Sequence, residues 1–232
     1  MKKILLLILL LFFGENKVYS ADLGNLGTIN ATVGAASQKY SRGFVSNRNQ
    51  PTSFLYLDYV SPAGFYINSA LTYDKSDSGS YSNEWCNTPG YKNRIDKITI
   101  NLSYQLCEYQ TVTQYGYYQI KLSGEATKLT NIFLNYYIDD TGSSYNSTRT
   151  QSYAGNGKEF GLTHNLGITT ATLRSFIWDN YSTTYSVGAS KLIYDVNVDL
   201  FYHQTKLEDW NSAASKSASD RGHLILTVKK IF

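Results

Sequence analysis

Proline, histidine, acidic and basic excess, and long apolar runs are all scarce in this chain. Three Pro among 232 residues leave strand interiors rarely interrupted, because Pro cannot donate to a ladder. The three histidines, His164, His203 and His223, are scattered. No Cys or His pair has zinc spacing, so no metal and no cofactor is expected. Gly155-Asn-Gly-Lys158 lacks the Gly spacing and the following Ser or Thr of a phosphate loop. A Ser-His-acid site on a sheet wall needs Ser and His on one accessible face, and strand alternation turns His203 inward. An enzyme is therefore not expected. Past the first 20 residues no segment is long and apolar enough to span a bilayer as a helix, which takes about 20 residues.

The opening is different. Met1-Lys2-Lys3 is basic, Ile4 to Phe13 is unbroken apolar, and Val18-Tyr19-Ser20 precedes Ala21 with small residues at the usual cleavage positions. This reads as a signal peptide over 1–20, cleaved before Ala21, leaving one domain over 21–232. The precursor carries +3. Losing Lys2, Lys3, Lys17 and Glu15 brings the mature chain close to neutral, which argues against nucleic acid and against strong ion selectivity.

What is abundant is Tyr, with 21 copies in a chain that is 15% aromatic. Tyr suits strands and the headgroup region, where one end of the ring is apolar and the other wet. Alternating runs fill the mature chain. Ile29, Ala31, Val33 and Ala35 share a face within Thr28 to Tyr40. Leu55, Leu57 and Tyr59 oppose Tyr56 and Asp58. A turn at Ser61-Pro-Ala-Gly64 leads into Phe65 to Tyr73, making a hairpin. Further strand-like runs cover Lys158 to His164, Gly167 to Trp178, Thr183 to Leu192, Tyr194 to Thr205 and Gly222 to Phe232. Polar segments at Asp74–Tyr91, Asp139–Arg149 and Lys206–Arg221 read as long loops.

A first count gives about eleven strands, and parity rejects it. Outer-membrane barrels have short periplasmic turns, long outer loops and an even strand number. For the three long loops to share one side, the stretch 92–138 must hold four strands: Lys92–Ile100, Leu102–Thr111, Gln114–Leu122 and Lys128–Ile138. The expected fold is all-β, a transmembrane antiparallel up-and-down barrel of about twelve strands, with ten as the fallback.

The ending points the same way. Leu224, Leu226, Val228 and Phe232 fall on one strand face, and a chain end is usually disordered unless tied down. A terminal Phe on an alternating strand resembles the sorting signal of bacterial outer-membrane β-barrels, read by the barrel-assembly machinery. Tyr40-Ser-Arg42-Gly43-Phe44, Pro51, Leu57-Asp58-Tyr59 and Gly64-Phe65-Tyr66 resemble the first hairpin region of the TorF family of porins. Asn135-Tyr-Tyr-Ile-Asp139, Val187-Gly-Ala-Ser-Lys191 and Leu226-Thr-Val-Lys-Lys-Ile-Phe232 resemble later stretches of that family, with Ile138 where Pro is common. The resemblance covers nearly the whole mature chain. It implies an outer-membrane barrel of a Gram-negative bacterium, named a porin chiefly for its architecture, and names no solute.

Opposite the apolar faces lie Asp58, Asn68, Lys121, Arg174, Asp195, Asn197, Asp199 and His203. Mixed signs fit a narrow polar lumen or a plugged one, and ions away from water must pair or meet water. Arg42 and Asp58 form the candidate pair at the constriction. Cys86 falls in a loop and Cys107 in a strand. An oxidising compartment invites them to pair, and two separate buried thiols remain the other reading. Two functions stay open. One is a porin passing small polar solutes by diffusion. The other is a barrel blocked by side chains, working through its outer loops as a binding or structural module. Bilayer lipid and small polar solutes are the expected partners.

Overall fold

The computed structural model describes residues 21–41, 44–45, 50–75, 81–109, 113–139, 156–179, 182–207 and 222–232. Twelve long strands dominate them. They are β1 (Thr28–Ala36), β2 (Thr52–Val60), β3 (Phe65–Lys75), β4 (Tyr81–Ile95), β5 (Ile98–Tyr109) and β6 (Thr113–Thr127), followed by β7 (Thr130–Asp139), β8 (Gly157–Asn165), β9 (Thr170–Trp178), β10 (Ser182–Ile193), β11 (Val196–Leu207) and β12 (Gly222–Ile231). Each pairs antiparallel with its sequence neighbour, and β12 pairs back onto β1. The sheet is thus a closed barrel without edges. Ala21–Asp22 adds a short extra strand beside β1, and Tyr40–Ser41 pairs with Phe44–Val45 in a separate small hairpin. Among the described residues the one helical piece is the turn Gly24–Leu26.

Alternation decides which side chains face out. Leu55, Leu57, Ile67, Leu71, Ile120, Leu134, Leu162, Leu200, Leu224 and Leu226 are all exposed on the outer wall. An apolar outer face on a closed sheet is what hydrocarbon requires, since backbone groups there must be satisfied internally. Aromatic residues bracket this band on β3 and β4, with Phe65 and Tyr91 packed at 5.1 Å near one end and Tyr73 and Trp85 near the other.

Five tight connections lie at one end of the barrel, with both β1's start and β12's finish. Gly64 adopts φ +91° in the first of them, and a Cβ there would run into the Lys92 carbonyl. Tyr194 and Asp195 both have positive φ (47° and 63°) and form the whole connection between β10 and β11. That is the two-residue hairpin geometry whose twist matches the flanking strands. The other end carries the six remaining connections, including 76–80, 140–156 and 208–221. The strand connections within the three polar segments do fall at one end, as parity requires.

Several boundaries differ from the sequence reading. The stretch 92–138 contains parts of four strands, yet the first turn sits at Asp96-Lys97, not near Asn101. Asp96 takes a left-handed φ of 53°, which Asp tolerates better than most residues, and Asp-Lys is the polar break between Ile95 and Ile98. Asp74–Tyr91 is mostly strand: β4 starts at Tyr81, and its polar composition combines Glu84 and Thr88 at inward positions with Asn83 and Asn87 at outward ones. Asp195 belongs to a turn and not to a strand face. β1 ends at Ala36, so the alternation read through Tyr40 stops four residues early.

Candidate functional site

The lumen is crossed by a strap. After β1 the chain turns inward, and Gln38 is buried. Lys39 Nζ donates to Asp74 Oδ2 at 2.6 Å on β3 and to Glu84 Oε2 at 2.7 Å on β4. Thr52 Oγ1 on β2 donates to the other Asp74 oxygen. All three charged side chains are at most 13% exposed. Burial acts to lower the Lys39 pKa, but Glu84 and Asp74 together outweigh it and hold the ammonium above its ordinary 10.5.

The next residue reaches the other wall. The Tyr40 ring stacks on His203 of β11, with centroids 4.0 Å apart and planes 20° from parallel. The Arg174 guanidinium from β9 lies 4.8 Å from the Tyr40 centroid and 5.0 Å from that of Phe201, a cation held between two ring faces. Burial pushes the Tyr40 hydroxyl's pKa upward. His203 is 1% exposed and its Nδ1 bonds Ser186 Oγ at 2.8 Å. β3 and β9 are half a turn of the twelve-strand barrel apart. Lys39 and Tyr40 therefore tie the segment to opposite walls.

Side chains also fill the wall of β6 to β9 near the loop end. Tyr117, Tyr137, Phe176 and Trp178 pack in sequence at centroid distances of 5.9, 5.5 and 6.0 Å. Glu159 accepts from Asn135 Nδ2 at 2.8 Å and from Tyr137 at 3.3 Å, and pairs with Arg174 at 3.5 Å. Next to the strap a cavity of ≈ 740 Å³ remains, lined by Lys39, Tyr40, Arg174 and Asp199 among others, with Ser190 and Thr227 contributing hydroxyls.

The inward residues named from sequence are largely together. Asn68, Arg174, Asp199 and His203 line this cavity. Asp199 pairs with Lys229 at 2.8 Å. Asp58 accepts from Asn68 Nδ2 at 2.5 Å. Lys121 has the inward parity of Gln119 on β6 and lies opposite Asn101 and Asn135 in register. Arg42 lies outside the described residues. Lys39, Glu84, Glu159 and Lys229 were missed. The last three stand at inward parity on β4, β8 and β12, so alternation with corrected strand limits would have found them. Lys39 had no such signal, since it follows a strand that had been drawn too long.

Cys86 is on β4, not in a loop, and stands opposite Cys107 in register. The two are bonded, with Cα atoms 4.0 Å apart. The disulfide faces inward, two residues from Glu84, and clamps β4 to β5 beside the Lys39 anchor. Protein unfolded without reductant should yield no free thiol in a thiol titration. Cys86→Ala with Cys107→Ala should lower stability by roughly 2–4 kcal/mol, read as the midpoint of heat-induced mobility change.

The chain is similar to the KdgM porin, at 11% identity and a TM-score of 0.62, covering 88% of this chain and 99% of that one. The fold is a porin fold. A second KdgM structure, in complex with disordered oligogalacturonate, matches at 12% identity and TM-score 0.59 over 88% and 98% of the two chains. The NanC porin matches at 12% and 0.55 over the same shares. No family model and no curated protein matches this chain. At 11–12% identity the likeness is one of fold.

Proposed function

We propose that this protein is an outer-membrane porin that passes small polar solutes by diffusion through a narrow lumen. The observation that carries the reading is the polar cavity of ≈ 740 Å³ inside a closed twelve-strand barrel, lined by hydroxyls, amides and paired charges of both signs. Twelve strands enclose more than the side-chain-filled eight and less than the open aqueous channel of sixteen. A solute in such a lumen exchanges water for Ser190, Thr172, Thr227 and Asn68 without stripping a full charge. The likeness to the KdgM porin, one structure of which holds an oligogalacturonate, supports polar cargo. The resemblance to the TorF family supports the same class.

Membrane sidedness follows from the two kinds of connection. With the long connections outside and the tight turns in the periplasm, epitopes placed in 76–80, 143–147 and 212–219 should all be reached by antibody on intact cells. One within Ser61–Gly64 should stay hidden until the outer membrane is broken. Any long connection labelled only after breakage overturns this arrangement.

Purified protein in a planar bilayer should give small, steady, weakly selective single-channel conductance. The strap gives the blocked-lumen reading its support, because it joins opposite walls. A folded barrel with neither conductance nor solute uptake would establish that second reading, a surface module acting through its outer loops.

A further inference from the structure

The outward row of β3 runs Phe65, Ile67, Ser69, Leu71, Tyr73, so Ser69 stands midway between the two aromatic brackets. It faces Asn87 of β4 in register, and its Oγ donates to Asn87 Oδ1 at 2.5 Å. Both side chains have outward parity, since Asn68, Ala70 and Cys86 between them line the cavity. Each is half-buried among neighbours and still reaches the outer surface. The Asn87 Nδ2 amide, with two hydrogens to donate, finds no acceptor among the described residues.

A second irregularity adjoins it. Pairing between β4 and β5 runs through Cys86–Cys107 and Asn87–Leu106 and resumes only at Gly90–Ser103. The gap falls at Thr88 and Pro89, where Pro supplies no N–H. Pro within a sheet normally keeps to edges or bulges, yet this one lies on an interior strand of a closed wall, exposed and directly beside Asn87. Hydrocarbon can satisfy neither an amide donor nor a broken ladder.

We propose that this patch of β3 and β4, centred on Asn87 and Ser69, is the interface at which a second copy of this chain docks in the membrane. A carboxamide carries both donor and acceptor, so two Asn87 side chains related by a two-fold axis complete each other. A partner with a purely apolar face would leave both unpaired. Side-chain hydrogen bonds between membrane segments are a recognised source of association. The inference rests on the outer wall meeting lipid, not on what the lumen passes.

The two cysteines are bonded to each other and no free cysteine is present among the described residues. Ser69→Cys therefore introduces a single free thiol at the patch. Copper-phenanthroline oxidation of that variant, purified and reconstituted at high lipid excess, should give a covalent species of twice the monomer mass. Val187→Cys, exposed on β10 across the barrel, should remain monomeric. Adding Asn87→Leu to Ser69→Cys should cut the dimer by about tenfold while heat-modifiable migration stays normal. Heat-modifiable, folded Ser69→Cys protein that yields no dimer, or dimer equal to that of Val187→Cys, overturns the proposal. So does an adduct formed in cells with a protein of another mass and absent from the purified vesicles.

Discussion

Deleting Phe232 should leave export intact and sharply reduce the amount of barrel inserted in the membrane. The reason lies in the seam. β12 meets β1 through five register pairs, Thr227–Ala36 to Ile231–Thr32, whereas β11 meets β12 through nine. Phe232 extends the short ladder by two backbone bonds, from its N–H to the Ala31 carbonyl at 2.7 Å and from the Ala31 N–H to its carbonyl at 3.0 Å. Each such bond contributes about 0.5–1.5 kcal/mol net in water, and an orphaned group costs more where lipid replaces water. The ring also lies 5.3 Å from the Lys230 ammonium. Phe232→Ser keeps the backbone bonds and removes the ring, so its defect should be milder if closure dominates and equal if recognition of the aromatic dominates. Val228→Asp, on the outward row with Leu224 and Leu226, should also impair insertion by placing a charge against lipid. Folded, heat-modifiable protein at wild-type levels for all three variants would sink the idea that this end of the chain is the closing strand.

The second large effect concerns Lys39. Lys39→Met should raise single-channel conductance several-fold and move selectivity toward cations. Removing one member of a buried ion group leaves the others uncompensated, at a cost of about 3–5 kcal/mol. Here Asp74 and Glu84 would face each other without their shared ammonium, and the relief open to them is hydration as the strap leaves the lumen. Two carboxylates then stand at the wall of a wider pore. Lys39→Arg should keep most of the wild-type behaviour. pH gives an independent check. Because the folded pKa of Lys39 is raised, its contribution is fully present below 10.5, the ordinary value, and is lost only as pH climbs through the raised one. Conductance should therefore stay level from neutral pH to that point and increase beyond it in the wild type, with no corresponding step in Lys39→Met. Unchanged conductance in Lys39→Met would mean the strap does not limit the pore.

Strand alternation made the barrel legible because each wall residue answers to one of two solvents. Leu55, Leu57, Ile67 and Leu71 announce the outer face, and Asp58 and Asn68 the inner one, with no ambiguity of period. The even count came from parity rather than from any local signal. The sequence misled where polarity came from the lumen side. Glu84, Cys86 and Thr88 made β4 look like loop, because a strand with a wet inner face and Asn83, Asn87 and Pro89 on the outer one has almost no apolar row to read. The strap was illegible for a different reason. Ser37-Gln-Lys-Tyr40 has no period, and its placement depends on Asp74, Glu84, Arg174 and His203, which are 34 or more residues away in the chain. The cysteine pair stayed undecided until the turn at Asp96-Lys97 fixed the register that sets Cys86 opposite Cys107.

The strap also carries information about time. Its Lys39 anchor needs only β3 and β4, which follow it in the chain after β2. Its Tyr40 anchor needs β11, which reaches β1 only through β12 and the final seam. A chain caught halfway through assembly can therefore hold the first contact and cannot hold the second. Tyr40 meeting His203 is in that sense a completion mark, set when the circle of strands joins, and a spectroscopic probe at residue 40 would date that moment in a folding experiment.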